Sequence, residues 1–159
     1  MNIRIIAVGK LKERFFSDAV DEYKKRLGRF VKIDIIQISD RKIADNATEG
    51  QIRQVLEKEG EDILSKISPA QYVIALCVEG KKMDSVGLSN TIQTLAQNGK
   101  SDIAFIIGGS LGLSDDVKKR ADLCLSFSDM TFPHQLMRVM LAEQIYRAFK
   151  IASNETYHK

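Results

Sequence analysis

Residues 72–78 read YVIALCV, an unbroken apolar run set between Pro69 and the pair Glu79 and Gly80. A strand with one wet face alternates apolar with polar residues. A run without alternation is instead covered on both faces, as in the centre of a parallel sheet with helices on either side. The rest of the chain supplies those helices. Asn2 to Val8 reads as a first strand, and Leu11, Phe15, Phe16, Tyr23, Leu27 and Phe30 then recur at helical spacing up to a fraying end at Gly28. Val31, Ile33, Ile35, Ile36 and Ile38 give a second strand. Asn46 with Glu49 reads as a capping pair for a helix through Ile52, Val55, Leu56, Ile63 and Ile67, which Gly60 weakens or splits.

After the 72–78 strand a turn is expected at Glu79 and Gly80, and Ser85 then caps a helix through Leu88, Ile92 and Leu95 that stops at Gly99. DIAFII at 102–107 is a fourth strand, and Ser114, with Asp115 and Asp116 in the first turn, caps a short helix ending in KKR. Leu123 to Phe127 is a fifth strand, and the last and longest helix runs from about Pro133 to Ser153. Five strand-helix pairs predict an α/β fold: a mainly parallel sheet of five or six strands with helices on both faces, in one domain spanning residues 1–159.

Composition narrows the class. With 159 residues and 44% hydrophobic content the chain can bury a core without staples. The opening MNIRIIAVGK has too short an apolar run for a signal segment, and no window reaches the roughly 18 apolar residues of a membrane span, so a cytoplasmic protein with no membrane partner is expected. Cys77 and Cys124 sit alone inside apolar runs and form neither a disulfide framework nor a metal site. A net charge of +3 does not by itself establish a nucleic-acid partner, although basic residues cluster at 24–26 and 118–120 and at Lys81 and Lys82.

In open parallel sheets ligands bind beyond the carboxyl ends of the strands, which directs attention to the loops after Val78, Ile107 and Phe127. The fourth strand empties into Gly108, Gly109, Ser110, Leu111 and Gly112. No Gly-Lys-Ser/Thr follows and the spacing is not G-x-G-x-x-G, so this is neither a Walker loop nor a dinucleotide fingerprint. The loop after the fifth strand offers backbone N–H and C=O groups with little side-chain bulk, a lining suited to a cofactor gripped through its main-chain contacts. No serine elbow, paired carboxylates or H-E-x-x-H is present, and the histidines are His134 and His158. Such a chain suits transfer of an already activated group, where the cofactor brings the reactivity and the protein brings position.

One residue stands out on the last helix. Arg138 shares a face with Leu141, Ala142, Ile145, Phe149 and Ala152 at about 100° per residue. A guanidinium on an apolar stripe needs a carboxylate, a carbonyl edge, a ligand or a second chain. Leu136 and Met140 lie roughly opposite Ile145 and Phe149, so this helix has an apolar side left for a second copy of the chain.

FIIGGSLGL at 105–113, LSFSDMTFPHQLMRVMLAEQIYRA at 125–148 and the ending YHK at 157–159, together with the opening IIAVGK, resemble the bacterial SPOUT methyltransferases that act on a pseudouridine of large-subunit ribosomal RNA, the ribosomal large subunit methyltransferase H group. The resemblance covers the whole chain. It implies S-adenosylmethionine-dependent methylation of the N3 ring nitrogen of pseudouridine, by a homodimer whose C-terminal part is threaded as a trefoil knot, a feature that the general scarcity of knots would argue against. It places the cofactor at Leu76, at Gly108 and at Phe127, Ser128, Asp129, Met130, Thr131 and Phe132, and it matches Arg138, Tyr157 and His158 to catalytic positions. KKMDSVGLSN at 81–90 departs from the more regular Ser-Ser-Glu helix start of relatives. The implied partners are large-subunit ribosomal RNA or the assembled ribosome, with no metal. His158, His134 or water would take the N3 proton, and Arg138 would stabilise charge on the flanking carbonyl oxygens. A Gly108→Val change is expected to keep the fold and abolish cofactor binding. Two other readings of the residues stand beside this one: a flavodoxin-like or Rossmann-like nucleotide binder, and a non-catalytic RNA-binding module.

Overall fold

A computed structural model describes residues 1–159. The elements follow strictly in alternation: β1 (Asn2–Val8), α1 (Arg14–Leu27), β2 (Lys32–Ile38), α2 (Glu49–Leu64), β3 (Tyr72–Lys82), α3 (Ser85–Gln97), β4 (Asp102–Ile107), α4 (Asp115–Arg120), β5 (Leu123–Ser126) and α5 (His134–Ala152). All strands are parallel, in one five-stranded sheet of order β2-β1-β4-β3-β5. The order differs from both the flavodoxin-like 2-1-3-4-5 and the Rossmann 3-2-1-4-5-6 arrangements, which removes the nucleotide-binder reading on topological grounds.

Period-two alternation sorts each strand's side chains between two cores. Ile3, Ile5 and Ala7 of β1 and Ile103, Phe105 and Ile107 of β4 face the layer built by α1, α3 and α5 through Leu27, Leu88, Ile92, Leu141 and Ile145. Ile6 and Val8, with Ala104 and Ile106, face the thinner layer of α2 and α4 through Ile63 and Val117. The run at 72–78 is a central strand as its composition requires, with Val73, Ile74 and Ala75 fully buried.

Four local expectations are corrected. The N-cap of α2 is Thr48 rather than Asn46, with Thr48 and Gln51 forming a reciprocal capping box. Gly60 does not split α2, because the helix runs on and the missing side chain makes room for Ser114, whose Oγ would lie 2.2 Å from a Cβ there. Asp84 rather than Ser85 caps α3, its carboxylate accepting from the Gly87 N–H at 2.7 Å. β3 does not turn at Glu79 and Gly80 but continues to Lys82, because residues 77–80 bulge out while Leu76 and Lys81 both pair with Leu125 of β5. The strand can return only because position 80 is glycine, since a Cβ there would sit 2.7 Å from the Cys124 carbonyl carbon.

The same bulge brings Cys77 beside Cys124, so the two thiols are neighbours on adjacent strands rather than isolated. Burial, then the Cys124 thiol, pushes Cys77 up to about 12. Both remain free thiols.

Candidate active site

Because β4 and β5 flank β3, the chain leaving β4 must cross β3 to reach β5, and its loops gather at the carboxyl ends of these three strands. They enclose a cleft of about 640 Å³, within the size range of small-ligand sites. Leu76 and the bulge form one wall, the glycine loop from Gly108 a second, and Phe127, Ser128, Met130, Thr131 and Phe132 a third. Seven of the eight residues assigned to the cofactor from the sequence are therefore brought together. Asp129 is the exception: it is exposed, does not line the cleft, and pairs with Lys82 of β3.

The lining is apolar or small, with main-chain polarity left over. Between Phe127 and Phe132 only the Met130 N–H finds an acceptor in the chain, the Ser128 hydroxyl at 3.0 Å, and only the Ser128 carbonyl accepts, from Ser126 Oγ at 3.1 Å. Within the glycine loop the Gly112 N–H donates to the Gly109 carbonyl at 3.1 Å, which fixes the turn. The other groups of the 127–132 loop remain available to edge-on partners such as a heteroaromatic base. Gly108 is needed for a different reason from the one expected. A Cβ there would meet the Gly112 carbonyl oxygen at 2.5 Å, so a side chain strikes the loop's own backbone before it reaches ligand space, and Gly108→Val disturbs the local fold as well as the site.

Charge is scarce in the cleft. Its only carboxylate is Glu79 and its only lysine or arginine is Lys118, and the two form an ion pair across the cleft wall from β3 to α4. His134 opens α5 at the other side, and its ring lies so close to Gly9 that a Cβ there would be 2.8 Å from Nε2. Burial first, then the charge of Arg138, lowers the His134 pKa and favours its neutral form.

Arg138 meets a carbonyl edge. Its Nη2 donates to the main-chain oxygens of Val8 at 2.9 Å and Gly9 at 2.6 Å, tying α5 to the end of β1, and the side chain is fully buried. Nε and Nη1 have no partner in the chain, and burial lowers its pKa. It does not line the cleft.

Tyr157 and His158 gather with two residues the sequence reading did not single out. Arg147 donates from Nε at 3.0 Å and Nη2 at 2.6 Å to Glu143 Oε1, and the Tyr157 hydroxyl donates to the same oxygen at 3.2 Å. The Arg147 guanidinium lies 4.7 Å from the Tyr157 ring centre, and its Nη1 is 3.3 Å from His158 Nδ1. Burial, then Tyr23 and Glu143, pushes Tyr157 up to about 12, so it stays protonated. The signal for Glu143 and Arg147 was available: opposite charges four apart on one helix face. His158 and Glu143 border a second cavity of about 570 Å³, which shares Leu125, Phe127 and Phe132 with the cofactor cleft as a common wall.

Residues 1–158 match the family described as "Predicted SPOUT methyltransferase". The chain belongs to the SPOUT methyltransferase family. Among curated SPOUT relatives, a Bacillus pumilus protein named ribosomal RNA large subunit methyltransferase H is 55% identical over 159 residues, covering 100% of both chains. A Clostridium perfringens protein named ribosomal RNA large subunit methyltransferase H 1 is also 55% identical over 159 residues, again covering 100% of both. Of solved structures, a probable methylase family protein from Haemophilus influenzae superposes with a TM-score of 0.55 at 13% identity, over 99% of this chain and 70% of that one. A putative methylase family protein from Neisseria gonorrhoeae gives 0.54 at 12%, over 99% and 86%. At these identities the superpositions speak for the SPOUT fold alone. Family membership also sets aside the reading as a non-catalytic RNA-binding module.

Proposed function

We propose that this chain, acting as a cytoplasmic homodimer of one SPOUT-type domain each, methylates the N3 nitrogen of a pseudouridine in large-subunit ribosomal RNA with S-adenosylmethionine as donor. The observation that carries the reading is the cleft at the ends of β3, β4 and β5, whose main-chain groups are largely unpartnered and whose lining contains seven of the eight expected cofactor residues. Identity to proteins named ribosomal RNA large subunit methyltransferase H over the full chain supports the substrate class. A trefoil thread through the C-terminal part is included in the proposal.

When bound, S-adenosylmethionine supplies an electrophilic methyl group on a positively charged sulfur. The chain's task is then position and exclusion of water. Backbone groups of residues 127–132 would hold the base and ribose, and Leu76, Leu111 and Met137 would close the apolar surround. On the acceptor, N3 would give its proton to water and then take the methyl group, leaving the donor as a neutral thioether. His158 Nδ1 faces a guanidinium, which can only donate, so the neutral ring carries its proton on Nε2. With the acceptor base in the second cavity that His158 borders, that N–H would donate to a carbonyl flanking N3 and stabilise the charge left when N3 deprotonates to water. Arg147 and Glu143 act through this ring and through Tyr157 by fixing their orientation. Arg138 acts from behind as a positioning residue, holding Gly9 and the start of α5 in register.

Mass spectrometry of ribosomal RNA from a strain lacking the gene, with and without its restoration, tests the function. One pseudouridine of the large-subunit RNA should lose a methyl group and regain it on restoration. An unchanged modification map would overturn the proposal.

A further inference from the structure

Glu79 and Lys118 are the one carboxylate and the one basic side chain other than a histidine in a cleft otherwise lined by apolar residues, glycines and hydroxyls, and they sit there as a pair. They come from separate elements. Glu79 projects from the β3 bulge and Lys118 from α4, with Lys118 about one-third exposed and Glu79 nearly two-thirds exposed. Each keeps capacity after pairing. Lys118 uses one of three N–H donors on Glu79 Oε1, and a carboxylate with two oxygens keeps acceptor capacity beyond that bond. Their mutual bond lowers the Glu79 pKa and raises that of Lys118, so both are charged at neutral pH.

Resting on the cofactor reading above, we infer that this pair is the recognition site for the zwitterionic amino-acid end of the cofactor, Lys118 meeting the α-carboxylate and Glu79 the α-ammonium. A free amino-acid group carries both charges at neutral pH. Laid along the partly exposed Glu79–Lys118 wall, it meets a partner of each sign and exchanges part of its hydration for charge-assisted hydrogen bonds. An anion-binding site alone would need only the lysine, and a ribose site only the carboxylate. The ordered pair of opposite charges is the complement of a zwitterion, and addition of the ligand closes a ring of four alternating charges with charge-assisted hydrogen bonds.

Calorimetry with two nucleoside ligands separates this from a salt bridge that merely ties the bulge to α4. S-adenosylhomocysteine carries the amino-acid end, whereas 5′-methylthioadenosine has the same base, ribose and thioether without it. In Lys118→Met the affinity for S-adenosylhomocysteine should fall roughly ten- to hundredfold, while that for methylthioadenosine stays within about threefold. Glu79→Gln should shift the two ligands in the same unequal way, and Lys118→Arg should retain most of the affinity. Equal losses for both ligands, or no loss for either, would overturn the inference, and thermal melts of each variant show whether the fold is intact. If the wild-type protein binds neither ligand, the cofactor reading falls and this inference with it.

Discussion

Gly108→Ala is the sharpest test of how the glycine loop builds the cleft. The added Cβ would sit 2.5 Å from the Gly112 carbonyl oxygen, 2.7 Å from its carbon and 3.1 Å from Leu113 Cδ2. Comfortable carbon contacts lie near 3.5–4.0 Å, so the loop must withdraw by roughly 1 Å. Overpacking of this kind costs about 1–3 kcal/mol, and the stiffer unfolded chain returns about 0.4–1 kcal/mol. The expected net loss is about 1–2 kcal/mol, a fall in Tm of about 2–8 °C for a chain of this size. Melts should be compared at one protein concentration, since the apparent stability of the proposed dimer depends on it. Cofactor affinity, read by calorimetry, should fall by about tenfold or more, because backbone donors displaced by about 1 Å lose their geometry. Gly99→Ala is the control. Gly99 has φ +75° and nothing within 4 Å of a Cβ, so strain alone applies, about 1–2 kcal/mol, far from the cleft. The two variants should lose similar stability, but only Gly108→Ala should lose cofactor affinity. A wild-type melt and wild-type binding for Gly108→Ala would refute the reasoning, as would an equal affinity loss in Gly99→Ala.

Deleting Tyr157, His158 and Lys159 should leave cofactor binding nearly intact while methyl transfer to ribosomes falls at least about tenfold, since the deletion removes the ring proposed to face the substrate; unchanged turnover would take the tail out of the site. Met140→Glu should shift sedimentation toward monomer with little change in circular dichroism, because Met140 is a half-buried residue of α5 beside the second cavity; an undisturbed dimer would remove this face from the interface. His134 has a lowered native pKa, so its contribution to stability is present above its unfolded value near ~6.5 and is lost as pH falls through the native one. Stability measured by denaturant titration should therefore decline below about pH 6.5, and His134→Gln should flatten that decline; an identical slope in the variant would contradict the assignment.

The strands and helices were legible because their signals are local. The apolar residues of β1, the unbroken run of β3 and the helical spacing on α5 each report which faces are covered, and the structure covers those faces. Arg138 shows the boundary of that information. Its position on an apolar stripe dictated a buried partner, but four kinds of partner satisfied the same requirement, and only the packing of α5 against the end of β1 selected the carbonyls of Val8 and Gly9. The β3 bulge lay hidden because Glu79, Gly80, Lys81 and Lys82 have the composition of a turn, while the return to the strand at Lys81 and Lys82 comes from pairing with β5, some forty residues on. Glu143 with Arg147 is four residues apart and was readable from helix geometry, whereas Glu79 with Lys118 is separated by 39 residues and was not. The order β2-β1-β4-β3-β5 belongs to the same class. Apolar periodicity states that a strand is buried and is silent on its neighbours, so the crossing that gathers three loops into one cleft is decided only when the whole chain packs.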